Sequence, residues 1–234
     1  MKWNQSQLLL RAHFNTGIKT PEAVYDIQFG NVKRPAVRNT SWDEARFETC
    51  AHKWVDLSEG GYGVSLLNDC KYGHDIHDGV ISVTLIKSGT VPNSETDREE
   101  HFFTYSLLPH LGSWQEGGTV QSAYCLNVPL YACIKKNISP DNNSKAMKSF
   151  ISTKCRNVMI ETVKTQAERE SVIVRMYEFE NTRTKAGFAL EKTAAEIYET
   201  DCLENRKTLV ATNASEINIT LLPYEIKTLE LVYK

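Results

Sequence analysis

From Glu216 to Leu221 apolar and polar residues alternate without a break: Ile217, Ile219 and Leu221 on one side, Glu216, Asn218 and Thr220 on the other. A period of two gathers those three apolar side chains on one face of an extended strand, which a helix cannot do. Residues 8–14 repeat the pattern, with Leu8, Leu10, Ala12 and Phe14 opposed to Arg11 and His13. In residues 25–29, Asp26 and Gln28 point outward, and Ile81, Val83 and Leu85 alternate with outward Ser82 and Thr84. Half-buried antiparallel strands carry this signature. No segment holds an amphipathic helix of convincing length and no internal repeat is visible. The chain reads as all-β.

Between these anchors the order of elements follows from breakers and turn formers. Residues 31–42 contain Pro35 and show no clean period, so they are predicted as a loop, and residues 43–48 as a helical turn at most. Strands are expected at 62–67, at 102–108 closed by Pro109, and over 120–130 and 131–134, with loops at 90–100 and 112–118. The run KKNISPDNNSKAMK, residues 135–148, is polar and poor in apolar residues, as domain linkers are. It divides the chain into a larger β-sandwich, residues 1–140, and a small β-sandwich, residues 141–234. In the second, short strands are predicted at 157–163, 171–179, 187–190, 195–198, 216–221 and 225–233, a spacing typical of sandwiches.

The 234 residues suffice for one large or two small domains with ample core. A net charge of −2 gives no electrostatic reason for a nucleic acid or an anionic membrane as partner. The apolar runs are too short to span a bilayer, and the first residues do not resemble a signal peptide. Six cysteines lie far apart without a CxxC pair, and are expected to be reduced and partly buried. Six N-x-S/T sequons, at Asn4, Asn39, Asn137, Asn142, Asn213 and Asn218, are read as the yield of an Asn-, Ser- and Thr-rich chain. The expected compartment is the cytoplasm.

Residues 48–75, ETCAHKWVDLSEGGYGVSLLNDCKYGHD, hold the densest set of side chains able to do chemistry. Asn68, Asp69, Lys71 and Tyr72 follow the 62–67 strand, and with Gly73 and His74 are expected in an exposed loop. Sugars are bound by amides, carboxylates and cations, with an aromatic ring against the apolar sugar face. These four residues offer that set and are the substrate-binding candidates; a plain β-turn satisfied by Asn and Asp is the competing reading. The run His74-Asp75-Ile76-His77-Asp78 has zinc-ligand chemistry, but in an extended loop the two histidines point apart, so a hydrated turn is preferred. Cys50 and His52 lack an orienting third group and are not read as a nucleophile and base. A second polar and aromatic group comprises Arg34, Arg38, Asn39, Trp42 and Asp43, with His52, Lys53, Trp54 and Asp56. Arg and Trp favour interfaces, so this group is assigned to domain packing or to lining a cleft.

Several runs resemble glycoside hydrolase family 38, the α-mannosidases, in its bacterial and cytosolic branch. QFGNVKRPAVRNTSWDEARFE, HKWVDLSE, GYGVSLLNDCKYG and REEHFFTYSLLPH are similar to the family's C-terminal β region, and VRMYE, YETDCLE and PYEIKTLEL follow in the same order. The resemblance implies a retaining α-mannosidase whose nucleophilic Asp and divalent metal, usually zinc, reside in an N-terminal catalytic barrel. Retaining hydrolysis needs two carboxyl groups about 5–5.5 Å apart. No counterpart of the barrel is found in this sequence, so no catalytic residue, metal ligand or cofactor is assigned to it. The implied partners are the catalytic barrel and mannose-containing glycans, with a homo-oligomer left open. The resemblance further implies that loops of the β region border the active site. The alternative is an independent carbohydrate-binding module, which would expose Trp54, Tyr62, Tyr72 or Trp114 as an aromatic platform.

Overall fold

The computed structural model describes residues 1–133 and 148–234, and the chain divides into two compact units, Met1–Ala132 and Cys133–Lys234. The predicted junction at 140/141 lies outside the described residues. Both units are built of antiparallel strands.

In chain order the first unit comprises β1 (Leu8–Asn15), β2 (Glu22–Ile27), β3 (Gly30–Pro35), α1 (Ser41–Ala45), β4 (Thr49–Cys50), β5 (Trp54–Ser58), β6 (Tyr62–Asn68), β7 (Gly73–His77), β8 (Val80–Ser88), β9 (Tyr105–Leu111) and α2 (Thr119–Asn127). One sheet has the order β1-β8-β7-β4 and the other β3-β2-β5-β6-β9. Tyr25, Val55, Leu57, Val64 and Leu66 from the second sheet share one apolar cluster with Ile76, Ile81, Val83 and Ile86 from the first. The two sheets therefore face each other across that cluster. Burying each such side chain contributes about 1.5–3 kcal/mol. The β7–β8 hairpin turns on Asp78-Gly79, both at positive φ (51° and 77°), the backbone of a tight two-residue turn that Gly adopts without strain.

Helix α2 and the 112–118 turns cover the outer face of β5 and β6. Trp54 lies there against Trp114, ring centroids 5.0 Å apart, beside buried Leu67, Val120 and Ala123. The same layer holds a buried polar network. Asp56 accepts from His110 Nε2 at 2.8 Å, from Ser65 Oγ at 2.7 Å and from the Ser58 hydroxyl, and Ser65 Oγ meets Thr119 Oγ1 at 2.7 Å. Gly63 makes room for the imidazole: a Cβ there would lie 2.3 Å from His110 Cε1.

The second unit comprises β10 (Ile151–Thr153), β11 (Val158–Thr165), β12 (Ser171–Glu178), β13 (Thr184–Thr200), β14 (Arg206–Leu221) and β15 (Ile226–Val232), ordered β10-β13-β15-β12-β11 with β14 on β13. One cluster collects Phe188 and Ile197 from the two halves of β13, Ile217 and Leu221 from β14, Met176 from β12 and Leu229 from β15. The sheet wraps around that cluster. Ile217 and Leu221 are buried, on the side their alternation predicts.

The structure departs from the sequence reading at identifiable places. The segments expected at 187–190 and 195–198 are one strand of 17 residues, whose exposed Glu191-Lys192-Thr193 sits at a register shift and reads as a loop. Residues 30–35 form β3 rather than a loop, because Pro35 lies at the end of an edge strand where its missing N–H costs nothing. Pro109 does not close β9 for the same reason: β9 is an edge strand and continues to Leu111. Residues 119–127 are helical, not a strand; Thr119, Val120 and Ala123 fall on one helical face, while β-favouring Val120 and Tyr124 suggest a strand. Residues 131–133 are irregular and exposed. Asp26 and Ser82, expected outward, are buried: Asp26 accepts from Lys53 N at 2.8 Å, and Ser82 Oγ meets His13 Nδ1 at 2.8 Å. The cysteines are free, but Cys50, Cys70, Cys125, Cys133 and Cys202 are exposed rather than buried.

Glu230 is the electrostatic anchor of the second unit. Its side chain is fully buried, and it accepts from Arg169 Nε at 2.9 Å, Arg206 Nε at 2.7 Å and Ser171 Oγ at 2.6 Å. Burial alone would raise its pKa, but the bonds from Arg206, Arg169 and Ser171 outweigh it and bring the carboxyl down to about 2. A folded pKa below the unfolded 4.5 means stability present above pH 4.5 and lost as pH falls toward 2. Glu230→Gln is expected to cost the second unit about 2–3 kcal/mol at pH 7. Calorimetric melting of both proteins from pH 7 to 2 checks this, with the difference between them closing at the acid end.

Candidate functional site

The turn after β6 is built from its first residue. Asn68 is buried, its Nδ2 donates to His52 O at 2.8 Å, and its Oδ1 accepts from Cys70 N at 3.2 Å and Lys71 N at 2.6 Å. From the end of α2, Asn127 Nδ2 donates to Asn68 O at 3.0 Å. Asn68 is thus the internal brace of an Asx-type turn. Asp69 Oδ1 accepts from Thr104 N at 2.9 Å, and Asp69 N donates to Thr104 O at 3.1 Å. Burial pushes the Asp69 pKa up, but bonds from the Cys70 thiol and Thr104 outweigh it and hold the carboxyl below its usual range. Partial desolvation, reinforced by Asp69, raises the exposed Cys70 thiol to about 11, which leaves it protonated at neutral pH. Lys71 Nζ lies 5.2 Å from the Phe103 ring centroid. Tyr72 is 56 % exposed, its ring 5.4 Å from His52 in an edge contact. What the turn presents outward is a carboxylate at Asp69, an ammonium at Lys71 and a phenol at Tyr72.

The exposed loop expected after Tyr72 ends there, because Gly73 opens β7. His74 faces the core, fully buried, and its Nδ1–H donates to Tyr72 O at 3.1 Å. Burial drives its pKa down to about 4, so the imidazole is neutral. Asp75, on the opposite face, takes Arg38 Nη2 at 2.8 Å and Arg11 Nη2 at 3.3 Å. His77 Nε2 is 3.7 Å from Asp75 and its Nδ1 3.2 Å from Asp78. Among the described residues no three His, Cys, Asp or Glu side chains gather to hold a metal ion, so the zinc implied by the resemblance has no donor set here.

The arginine group comes together differently. A cavity of about 440 Å³ lies beside α1, walled by Lys33, Arg34, Arg38, Asp43, Arg46 and Asp75, with Tyr25, Thr49 and apolar residues completing it. Thr40 caps α1 through Asp43 N at 3.2 Å, and its hydroxyl donates to Asp43 Oδ2 at 2.8 Å. The helical turn sets Trp42 and Arg46 four residues apart on one face, and the guanidinium lies 5.4 Å from the indole centroid. Arg34 lies 5.1 Å over the Tyr25 ring, and its Nη2 donates to Cys50 O at 3.2 Å. Burial raises the Tyr25 hydroxyl to about 12, so it stays protonated. Asn39 and Trp42 are exposed, and His52 is half-buried beside Tyr72.

Trp54 is a correction: at 1 % exposure it lines no cleft. Trp114, at 7 %, is buried against it because α2 and its preceding turns cover that face, whereas Tyr62 and Tyr72, the other two rings of the expected aromatic platform, are exposed. Arg46 and Asp75 join the arginine group in space although neither belongs to the group read from the sequence. The i, i+4 spacing of Trp42 and Arg46 is a readable signal for the first; Asp75 is brought in by the β4–β7 pairing and the packing of the two sheets.

Residues 1–95 match the profile of the glycosyl hydrolases family 38 C-terminal domain, and residues 157–229 that of the glycosyl hydrolases family 38 C-terminal beta sandwich domain. Relatives include alpha-mannosidase 2C1 of Mus musculus, 36% identical over 98% of this chain and 22% of that protein. Alpha-mannosidase G of Dictyostelium discoideum is 37% identical over 99% of this chain and 22% of its own. The alpha-mannosidase of Saccharomyces cerevisiae is 30% identical over 99% and 23%. In three dimensions the chain is similar to an alpha-mannosidase from Enterococcus faecalis V583, with a TM-score of 0.75 at 21% identity, over 97% of this chain and 26% of that one. The chain thus spans between a fifth and a quarter of the length of these relatives.

The buried His74 makes the first unit acid-sensitive. Its folded pKa of about 4 lies below the unfolded 6.5, so the stability it allows is complete above pH 6.5 and falls as pH drops toward 4. The loss over that window is expected to reach about 3 kcal/mol. Urea unfolding from pH 7.5 to 4 should show this slope in the wild type and a flatter one in His74→Gln.

Proposed function

The chain belongs to the C-terminal β region of glycoside hydrolase family 38, and on that premise we propose that it shapes the active-site rim of a retaining, metal-dependent α-mannosidase and packs against its catalytic barrel. In this reading the barrel supplies the nucleophile and the metal, and residues 1–234 supply none of the bond-breaking groups. The substrates are mannose-containing glycans, and the free cysteines accord with a cytoplasmic setting.

One observation carries the reading. The most family-like run, GYGVSLLNDCKYG, ends on a turn whose backbone is braced by Asn68, Asn127 and Thr104, while Asp69, Lys71 and Tyr72 stand outward. A rigid turn with a carboxylate, a cation and a ring at its surface suits paired hydrogen bonds to sugar hydroxyls and stacking on a sugar face. Exposed Asn39, just before α1, and exposed Trp42, on it, are the surface we assign to packing against the barrel, since indole rings are favoured in such interfaces.

Two measurements test this. Highly purified chain should not hydrolyse aryl α-mannosides, with or without added zinc; turnover that copurifies with the wild-type chain through every step would overturn the reading. In a polypeptide that includes the catalytic barrel, Tyr72→Phe and Asp69→Ala should each lower kcat/KM for mannosides about tenfold or more. Asp69→Ala also removes the bond to Thr104 N and should cost about 1 kcal/mol of stability, so activity is normalised to folded protein. Full specific activity in both variants would make the turn purely structural.

A further inference from the structure

We propose that the cavity beside α1 binds a small oxyanion, a phosphate or carboxylate group, through Arg34, Arg46 and Arg38. The inference stands on this cavity alone and does not depend on the mannosidase reading. Its volume, about 440 Å³, is ample for such a group and its immediate substituents. Four cationic side chains line it against two carboxylates. Both carboxylates are already engaged: Asp75 by Arg11 and Arg38, Asp43 by the Thr40 hydroxyl. Lys33 pairs with Glu22 at 3.3 Å. Arg34 and Arg46 make no ion pair with a carboxylate among the described residues, yet both face the same space.

The arginines are also held ready. Arg34 is fixed by the Tyr25 ring and the Cys50 carbonyl, and its Nε is buried with no hydrogen-bond partner. The Trp42 ring lies against the Arg46 guanidinium, and Asp75 sets Arg38. Planar guanidinium forks fixed this way match the paired oxygens of phosphate and carboxylate. A neutral ligand would leave the excess positive charge unbalanced.

Isothermal titration of the full chain at low ionic strength, with inorganic phosphate and separately with acetate, tests the proposal. We expect saturable binding of one ion per chain. The tighter of the two anions identifies the source. Arg34→Gln and Arg46→Gln should each weaken binding about tenfold, the loss of one charge-assisted hydrogen bond. Lys192→Gln, exposed in the second unit, should leave it unchanged. If Arg34→Gln fails to fold, Arg46→Gln decides, because Arg46 is exposed and contributes nothing to the core. Heat that does not saturate, or equal affinity in Arg46→Gln, overturns the proposal.

Discussion

Strand β6 is buried on both faces, and most of what the first unit offers to solvent depends on that. Val64 and Leu66 point into the cluster shared by the two sheets, while Ser65 and Leu67 lie under α2. A strand held from both sides cannot shift register without exposing one apolar set or the other. Its end is consequently fixed, and Asn68 transfers that rigidity to the turn by binding His52 O, Cys70 N and Lys71 N together. Burial of the strand is what turns a short polar loop into a defined surface.

The polar groups inside the covered face follow the same logic. Asp56 would be costly to bury alone, and three donors, on His110, Ser65 and Ser58, surround it. Each comes from a different strand or strand end, so the network fastens β5, β6 and β9 while it satisfies the carboxylate. Asp75 does similar work on the other sheet, where Arg11 from β1 and Arg38 from the segment after β3 converge on it. In the second unit Glu230 gathers Arg169 and Ser171, at the start of β12, and Arg206, at the start of β14. Buried carboxylates with several donors recur as the points where distant segments are tied. The arginine cavity stands apart from them, because two of its guanidiniums have no such partner.

Much of the architecture was readable in the chain, and so was the family. The strand at 216–221, with one solvated face, declared itself by alternation; 81–85 alternates in residue type although Ser82 is buried. Residues 54–58 did not, since WVDLS is buried on both sides and shows no period. Within residues 48–75 the single strand expected became four, β4 to β7, and His74 moved from a loop into the core. The chemical character of 68–72 was visible from residue types, but its division of labour was not. Asn68 faces inward because it is the last residue of a buried strand, and the turn its side chain closes turns Asp69, Lys71 and Tyr72 toward the surface.

By itself the sequence determined the class of fold, the approximate strands and the membership in family 38, since periodicity and motif order are properties of the chain alone. Only the tertiary structure decided which aromatic and charged residues reach solvent. Trp54 disappears beneath α2, a helix whose nine residues are too few and too β-favouring to announce it. Arg34, Arg46 and Asp75 come to share one cavity because the sheet of β3 packs on the sheet of β7, and β4, which follows α1, pairs with β7. The physical reason is general. Local pattern records how each residue relates to its own strand or helix, whereas a site depends on which elements lie beside one another, and that is settled by the burial of surfaces far apart in sequence.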